Sequence, residues 1–369
     1  MTTRIGLSDL DRMLGDDSIA ALDATAAESI RRTLIFDSYR MHLGRDVAYR
    51  EYAKALGAAC LTYGSDLEEI PLLPTSVFKR PPPDEIDRTT GTILTTSSGT
   101  RGTVSFVLRD NRTLMRFFSS VCRGFKDMLG IDGSSHRILD LGPPLAEAEN
   151  LWTAYAVAGA ELLLPRTTYT AGGRCDLDRA IDDLKGLGDQ QPVLLVGSPA
   201  LMADLAEAVG SRHLRLDARS LVLTMGGWKR RQGEMIVAPE LRLHLADAMG
   251  LATSSIRDVF NMVELNSAVF ECAAHRKHVP PWLDVSARSP ADLRRLPNGS
   301  SGLLAFLDPT PTSFPGFLLG DDFGRLDPDP CPCGTHGPTM EIERRVNRLE
   351  VRGCALRMSG ANWSEDPGR

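Results

Sequence analysis

The sequence predicts an α/β fold with parallel-rich sheets, packed helices and a β-rich closing region, and three observations carry that prediction. Short runs of Val, Ile and Leu alternate with helix-patterned segments between about residues 91 and 260, as βα units do. After residue 280 the helical signal fades and strand-like segments follow one another. The chain has 369 residues, 42 % hydrophobic and 24 % charged, an ordinary globular composition with enough length for one large or two ordinary domains.

Residues 8 to 62 read as helices: Ser8 or Asp9 can cap, and "IAALDATAAESIRRTLIFDSYRMHL" carries apolar residues at three and four spacing. "IPLLPTSVFKRPPP" then places five prolines in fourteen residues, which no helix can cross, and reads as an extended connector. Strands are expected at "GTILTT", "RILDLG", "ELLLP", "PVLLVG" and "SLVLTMGG". Helices are expected at "RTLMRFFSSVCRGFKDML", "ENLWTAYAVAG", "LDRAIDDLKGL", "PALMADLAEAV" and "PELRLHLADAMG". "PWLDVSAR", "SGLLAFLD", "GFLLGDDFGRLD" and "TMEIERRVNRLEVRG" make up the closing β region. The expected division is a helical region over 1–75, an α/β core over 76–350 and a short tail over 351–369.

A net charge of -6 argues against a nucleic-acid face, which needs clustered excess Lys/Arg, but leaves room for a local anion site. No run reaches the ~18 to 20 apolar residues of a membrane span, and "MTTRIGLSDLDRML" lacks a signal peptide's apolar centre, so a cytoplasmic protein without a membrane partner is expected. Seven scattered cysteines, an odd count, fit reduced thiols or metal ligands better than a disulfide framework. A homodimer is left open.

"LTTSSGTRGTVSF" sets Ser97, Ser98, Gly99, Thr100, Arg101 and Gly102 directly after a strand. Glycines let backbone approach an anion, and amides and hydroxyls can wrap phosphates. A flexible turn is the other reading, and no G-x-x-x-x-G-K-[ST] loop fits. "ECAAHRKH" and "CPCG" offer Cys272, His278, Cys331 and Cys333, a thiolate and imidazole set suited to tetrahedral zinc, with His275 as rival fourth ligand. The alternative is a hairpin turn with solvated histidines. Ser198 in "VGSPALM" reads as a helix N-cap, and Trp228 in "GGWK" as either a core anchor or a pocket wall.

"SSGTRGTVS" resembles the phosphate loop of the adenylate-forming enzymes, and three further motifs follow in that superfamily's order. "FNMVE", Phe260 and Asn261 through Glu264, resembles the motif whose glutamate binds the Mg2+ that accompanies ATP, which gives Glu264 that role. "GDDFGRL" resembles the segment whose aspartate grips the ribose hydroxyls, here Asp322 with Gly324 after it. "RRVNRLEVRG" resembles the hinge motif, placing Arg345 near ribose or phosphates and Asn347 at the hinge. Within the superfamily the chain resembles the LuxE-like acyl-protein synthetases, through "IPLLPTSVFKR", Ser105 where acyl-CoA synthetases carry Lys, "GGWK" at Gly226 to Lys229, "PPW" at Pro280 to Trp282 and "RGC" at Arg352 to Cys354. The same family includes adenylating proteins of phenazine tailoring.

This resemblance implies the N-terminal large domain of the adenylate-forming fold and ATP-dependent activation of a carboxylic acid to an acyl- or aryl-adenylate. Gly226, Gly227, Trp228 and Ser198 would line the acid's pocket, and Cys354 would accept the acyl group before a partner reductase, unless it is simply a buried apolar residue. It also implies a structural metal at the Cys/His set, since phenylacetate-CoA-ligase-like relatives carry a similar one. Val263 and Arg344 depart from the motifs, where Thr and Gly are usual. About 20 residues follow the hinge motif, so the usual C-terminal domain and its lysine are expected to be absent, with Arg101 or Lys229 as substitute cations. Fatty, aromatic and amino-acid-like acids are not distinguished by these motifs, and a catalytically silent scaffold subunit is the competing reading.

Overall fold

The computed structural model describes residues 6–16, 22–82, 91–98, 104–131, 133, 135–228, 231 and 235–345. The chain opens with helices α1 (Leu10–Gly15), α2 (Ala24–Arg45) and α3 (Val47–Ala55), then strand β1 (Leu73–Pro74) and the hairpin β2 (Ile93–Thr96) and β3 (Phe106–Arg109). Next come α4 (Asn111–Leu129), β4 (Arg137–Asp140), α5 (Trp152–Ala160), β5 (Arg166–Thr168) and a small hairpin β6 (Thr170–Ala171) and β7 (Arg174–Cys175). The βα pattern continues through α6 (Leu177–Leu187), β8 (Val193–Gly197), α7 (Pro199–Val209), β9 (Leu221–Met225), α8 (Ala238–Met249) and β10 (Ile256–Phe260). Six strands close it: β11 (Val269–Phe270), β12 (Lys277–His278), β13 (Asp284–Arg288), β14 (Gly302–Leu307), β15 (Phe317–Asp327) and β16 (Thr339–Arg345).

Two sheets organise these elements. The first runs β11-β10-β9-β8-β4-β5 and is parallel except for β11 at its edge. Both faces are covered, which is why its strands read as unbroken apolar runs. Alternation then sorts the side chains: Ile138, Leu194 and Leu223 enter one apolar cluster with α4 and α5, while Leu139, Leu195 and Val222 enter another with α6, α7 and α8. The second sheet, β12-β16-β15-β14-β13, is antiparallel, and β1 joins β15 in parallel through Leu73↔Leu318 and Pro74↔Leu319. Its outer face carries Leu303, Ala305, Phe317 and Leu319 against Phe36, Tyr39 and Tyr49 of α2 and α3.

Helix starts follow local chemistry: Asp23, Asp46, Asp110, Asp176 and Ser198 each accept a hydrogen bond from a backbone amide of the first turn. Asp9 bonds backward to the Gly6 amide at 3.1 Å instead, shaping a 3-10 turn ahead of α1. The proline-rich connector is extended only as far as Pro74 and then coils into a 3-10 turn, Thr75–Lys79.

Two expectations are corrected. "ELLLP" is not a strand: Glu161, Leu162 and Leu163 donate to the carbonyls of Ala158, Gly159 and Ala160, so the chain is still unwinding from α5 and the strand begins at Arg166. "GTILTT" does form a strand, but β2 pairs with β3 alone and stands outside the parallel sheet. The Ser/Gly segment therefore joins the strands of a hairpin rather than a βα unit.

Gly324 sits at a register shift between β15 and β16, where a methyl group would overlap the Glu341 carbonyl oxygen. Gly324→Ala is expected to destabilise the protein by about 1–3 kcal/mol through overpacking, measurable as a lower urea midpoint.

Candidate nucleotide and acid site

The hairpin brings its two ends together. The Ser97 amide donates to the Ser105 carbonyl at 3.1 Å, and the Ser105 amide donates to the Ser97 hydroxyl at 2.9 Å. Ser98 is exposed beside this neck, while Gly99, Thr100, Arg101 and Gly102 lie outside the described residues. Ser105 is fully buried and its hydroxyl donates to Glu264 Oε1. Glu264, only 4 % exposed, thus stands directly at the neck of the Ser/Gly segment. The ammonium of Lys79 donates to the same Ser105 hydroxyl and lies 3.6 Å from Glu264 Oε1.

Arg109, at the end of β3, fixes Glu264 in place and was not singled out by sequence. It is fully buried. Its Nη2 donates to the Val263 carbonyl, Nη1 to the Thr95 hydroxyl and Nε to Asn266 Oδ1 at 3.3 Å, with the guanidinium 3.6 Å from the centre of the Trp152 ring. Burial pulls its pKa down to about 9, against the favourable fields of Glu264 and Asp308, so it stays charged at neutral pH. Asn261 braces the same turn: its Oδ1 accepts from the Trp152 indole, and its amide donates to the Leu265 and Ser267 carbonyls. Phe260 stacks on Phe306 of the second sheet at 5.8 Å. Val263 is buried among apolar side chains, and only its carbonyl serves the network.

Asp322 and Arg345 face each other across β15 and β16, with Nε 3.8 Å from Oδ1. Neighbouring Arg344 lays its guanidinium over Phe323 at 4.3 Å. The turn ending in Lys79 packs along β15, so the strand bearing Asp322 is tied to the Ser105–Glu264 neck.

A cavity of about 60 Å³ opens at the carboxyl ends of β4, β8 and β9, where ligands gather in parallel sheets. Asp140, Thr153, Ser198, Leu201 and Met225 line it. Ser198 lines this cavity, and its hydroxyl accepts from the Leu201 amide at 3.4 Å as the α7 cap. The α5 wall begins at Trp152, which bonds Asn261, so cavity and Glu264 turn share a helix. Gly226 turns the chain with φ +74°, and Gly227 is exposed. Trp228 packs on the apolar cluster of α6 to α8, away from the cavity's lining; Lys229 lies outside the described residues.

Cys272, His278, Cys331 and Cys333 converge, with their ligand atoms all within 4.8 Å of one another. The Cys272 and Cys331 sulfurs are 3.6 Å apart, close to the ~3.8 Å edge of a tetrahedron with 2.3 Å metal–sulfur bonds. His278 Nε2 is 3.3 Å from Cys333 Sγ, and burial, assisted by the Arg276 charge, holds its imidazole down at about 4, in the neutral form a metal requires. His275 is separated from this set: its Nδ1 lies 2.9 Å from Glu271 Oε1. Cys354, Asn347 and "RGC" lie outside the described residues.

A family model described as acyl-protein synthetase, LuxE, matches residues 3–362. The chain belongs to the LuxE acyl-protein synthetase family. It is 32 % identical over 345 residues to the long-chain-fatty-acid–luciferin-component ligase of Aliivibrio fischeri, covering 90 % of this chain and 88 % of that one. The ligase of the same description from Vibrio harveyi is 31 % identical over 341 residues, 91 % and 89 % covered. Among solved structures, an open 2-hydroxyisobutyryl-CoA ligase bound to its acyl-adenylate and CoA superposes with a TM-score of 0.67 at 15 % identity, covering 89 % of this chain and 71 % of that chain. A long-chain-fatty-acid-CoA ligase from Archaeoglobus fulgidus gives 0.51 at 13 %, with 72 % and 53 % covered. The chain is therefore a LuxE-family ligase that shares, over most of its length, the fold of the 2-hydroxyisobutyryl-CoA ligase. Among the described residues no helix is long and apolar enough to cross a membrane.

Of the residues around the cavity, Asp140 gives the site a pH signature. Burial lifts its carboxyl to about 6, against the Gly142 amide at 2.8 Å and Arg166 at 3.4 Å. The folded protein holds this proton more tightly than the unfolded chain, so the group's contribution to stability falls as pH rises from about 4 through 6. Asp140→Asn removes that dependence, and thermal unfolding across pH 4–7 should show the variant gaining on the native protein by on the order of 2–3 kcal/mol toward pH 7.

Proposed function

We propose that this ligase joins a carboxylic acid to AMP at the Ser105–Glu264 neck and passes the acyl group to a thiol, Cys354, for delivery to a reductase. The observation that carries the reading is a buried acidic side chain, Glu264, hydrogen-bonded at the closing point of a Ser/Gly segment, in one body with the Asp322–Arg345 pair. A carboxylate resists attack because oxide is its leaving group. One of its oxygens instead attacks the α-phosphorus of ATP, the bond to the β-phosphate oxygen breaks and pyrophosphate departs with the electron pair. No general base is needed, since the acid arrives ionised. A thiolate then attacks the acyl carbon and AMP leaves, giving a thioester that a reductase can use.

The chain's residues supply alignment and charge. Asp322 accepts from both ribose hydroxyls, Arg345 lies beside it toward the phosphates, and the segment from Ser97 to Gly102 wraps the β- and γ-phosphates. Glu264 would hold magnesium, whose chemistry is to neutralise phosphate charge. The acid's body enters the cavity lined by Asp140, Ser198 and Met225. Gly226 to Trp228 follow the lining residue Met225 in the chain. The site belongs to a soluble, cytoplasmic enzyme in this reading. Phenazine-type aromatic acids and fatty acids are both within the substrate class. A silent scaffold would have no reason to keep the buried Glu264 beside Ser105 and Lys79 and the Asp322–Arg345 pair.

Carboxylate-dependent exchange of labelled pyrophosphate into ATP tests the reading: exchange with at least one of a panel of fatty and aromatic acids is expected, together with a mass adduct lost in Cys354→Ser. Absence of exchange across the panel removes the adenylation reading.

The Cys272–His278–Cys331–Cys333 set would hold zinc in a closed, structural role. It lies where β11 of the parallel sheet passes to β12, opposite the turn between β15 and β16, and so would clamp the Glu264 side to the strand bearing Arg345. Elemental analysis should find one zinc per chain, lost in Cys272→Ser/Cys331→Ser, with a fall in melting temperature of several degrees.

A further inference from the structure

The neck of the Ser/Gly segment carries a cation that the motifs do not assign. Lys79 ends the 3-10 turn Thr75–Lys79, and Phe78 before it is buried edge-on against Phe314 at 6.0 Å, which holds the turn against the body of the protein. Its side chain is 27 % exposed, and its ammonium is held by Ser105 and Glu264. Among the other described cations near this region, Arg109 is wholly buried and bonded to three partners, and Arg345 faces Asp322.

We propose that Lys79 is a catalytic residue whose ammonium contacts the phosphates of ATP, occupying from position 79 the space that a lysine at position 105 would occupy. The proposal rests on the adenylation reading above. Three contacts support it: Lys79 to Ser105, Ser105 to Glu264, and Lys79 to Glu264. Together they place one positive charge beside both the metal-holding carboxylate and the ends of the phosphate-wrapping segment. Ser105 is short and fully buried, which leaves its own position without charge but makes it a hydrogen-bond seat for a lysine arriving from elsewhere. Lys79 acts through its charge: it stabilises negative charge on the α-phosphoryl group and on departing pyrophosphate, and no bond to it forms or breaks.

Relocating the charge tests this. Lys79→Met keeps the aliphatic stem and removes the ammonium. It should lower the turnover of pyrophosphate exchange by about 100-fold or more, weaken Mg-ATP binding measured by calorimetry, and leave the KM for the acid within a few-fold. Lys79→Met/Ser105→Lys should recover at least about tenfold of that loss, because the ammonium returns to the same neck. Lys79→Arg, which keeps charge and reach, should hold activity above Lys79→Met and guards the test if the Met variant folds poorly. Exchange by Lys79→Met within threefold of native, or a folded double variant no faster than Lys79→Met, would overturn the role of Lys79 while leaving adenylation intact. Absence of exchange in the native protein would instead remove the adenylation reading and this role with it.

Discussion

A single buried guanidinium organises the site. Arg109 reaches from the end of a hairpin strand into the turn that carries Glu264, where Nη2 and Nε meet the Val263 carbonyl and Asn266 Oδ1, while Nη1 meets the Thr95 hydroxyl of the neighbouring strand β2. A charge wholly withdrawn from water is tolerated only when hydrogen bonds and opposite charges surround it, and breaking such an arrangement costs about 3–5 kcal/mol. Trp152 beneath the guanidinium adds cation–π attraction and passes the constraint on, since its indole binds Asn261 and its helix forms one wall of the acid cavity. The hairpin that carries the Ser/Gly segment, the Glu264 turn and the cavity wall are thus held to one another through Arg109 and Trp152.

This arrangement also accounts for the departures from the superfamily motifs. Val263 lacks a hydroxyl, but its carbonyl is engaged by Arg109 and its side chain fills the core. Asn261 offers its amide to the Leu265 and Ser267 carbonyls, shaping the loop rather than facing outward. Arg344, in place of a glycine, covers Phe323 beside the ribose-holding strand. The departures are absorbed by packing and backbone contacts.

The two sheets meet through segments that join them. The parallel sheet contributes the cavity at its carboxyl ends, and the antiparallel sheet contributes Asp322 and Arg345. Phe260 stacking on Phe306 and the Lys79 turn along β15 join one to the other, and Cys272 after β11 and His278 of β12 converge with Cys331 and Cys333 of the turn between β15 and β16. Shifting β15 relative to β10 would move Asp322 relative to Glu264. The close approach of β16 to Gly324 limits that movement.

Apolar periodicity by itself determined most of the elements: five helices from α4 to α8, the buried strands β4, β8 and β9, and the closing strands β13 to β16, because each must place its apolar side chains toward a core. Family resemblance of local motifs pointed to Glu264 and Asp322, and residue type and spacing pointed to the four metal-ligand candidates. Only the tertiary structure decided that "GTILTT" leaves the parallel sheet, that "ELLLP" belongs to the end of a helix, that His278 rather than His275 faces the cysteines, and that Trp228 packs away from the cavity. It also supplied Arg109, Lys79 and Asp140, charged residues within or beside apolar runs that no local pattern distinguishes from surface charges. The physical reason is the same in each case: a buried charge or a strand's choice of partner is fixed by groups distant in sequence, and those meet only when the chain is folded.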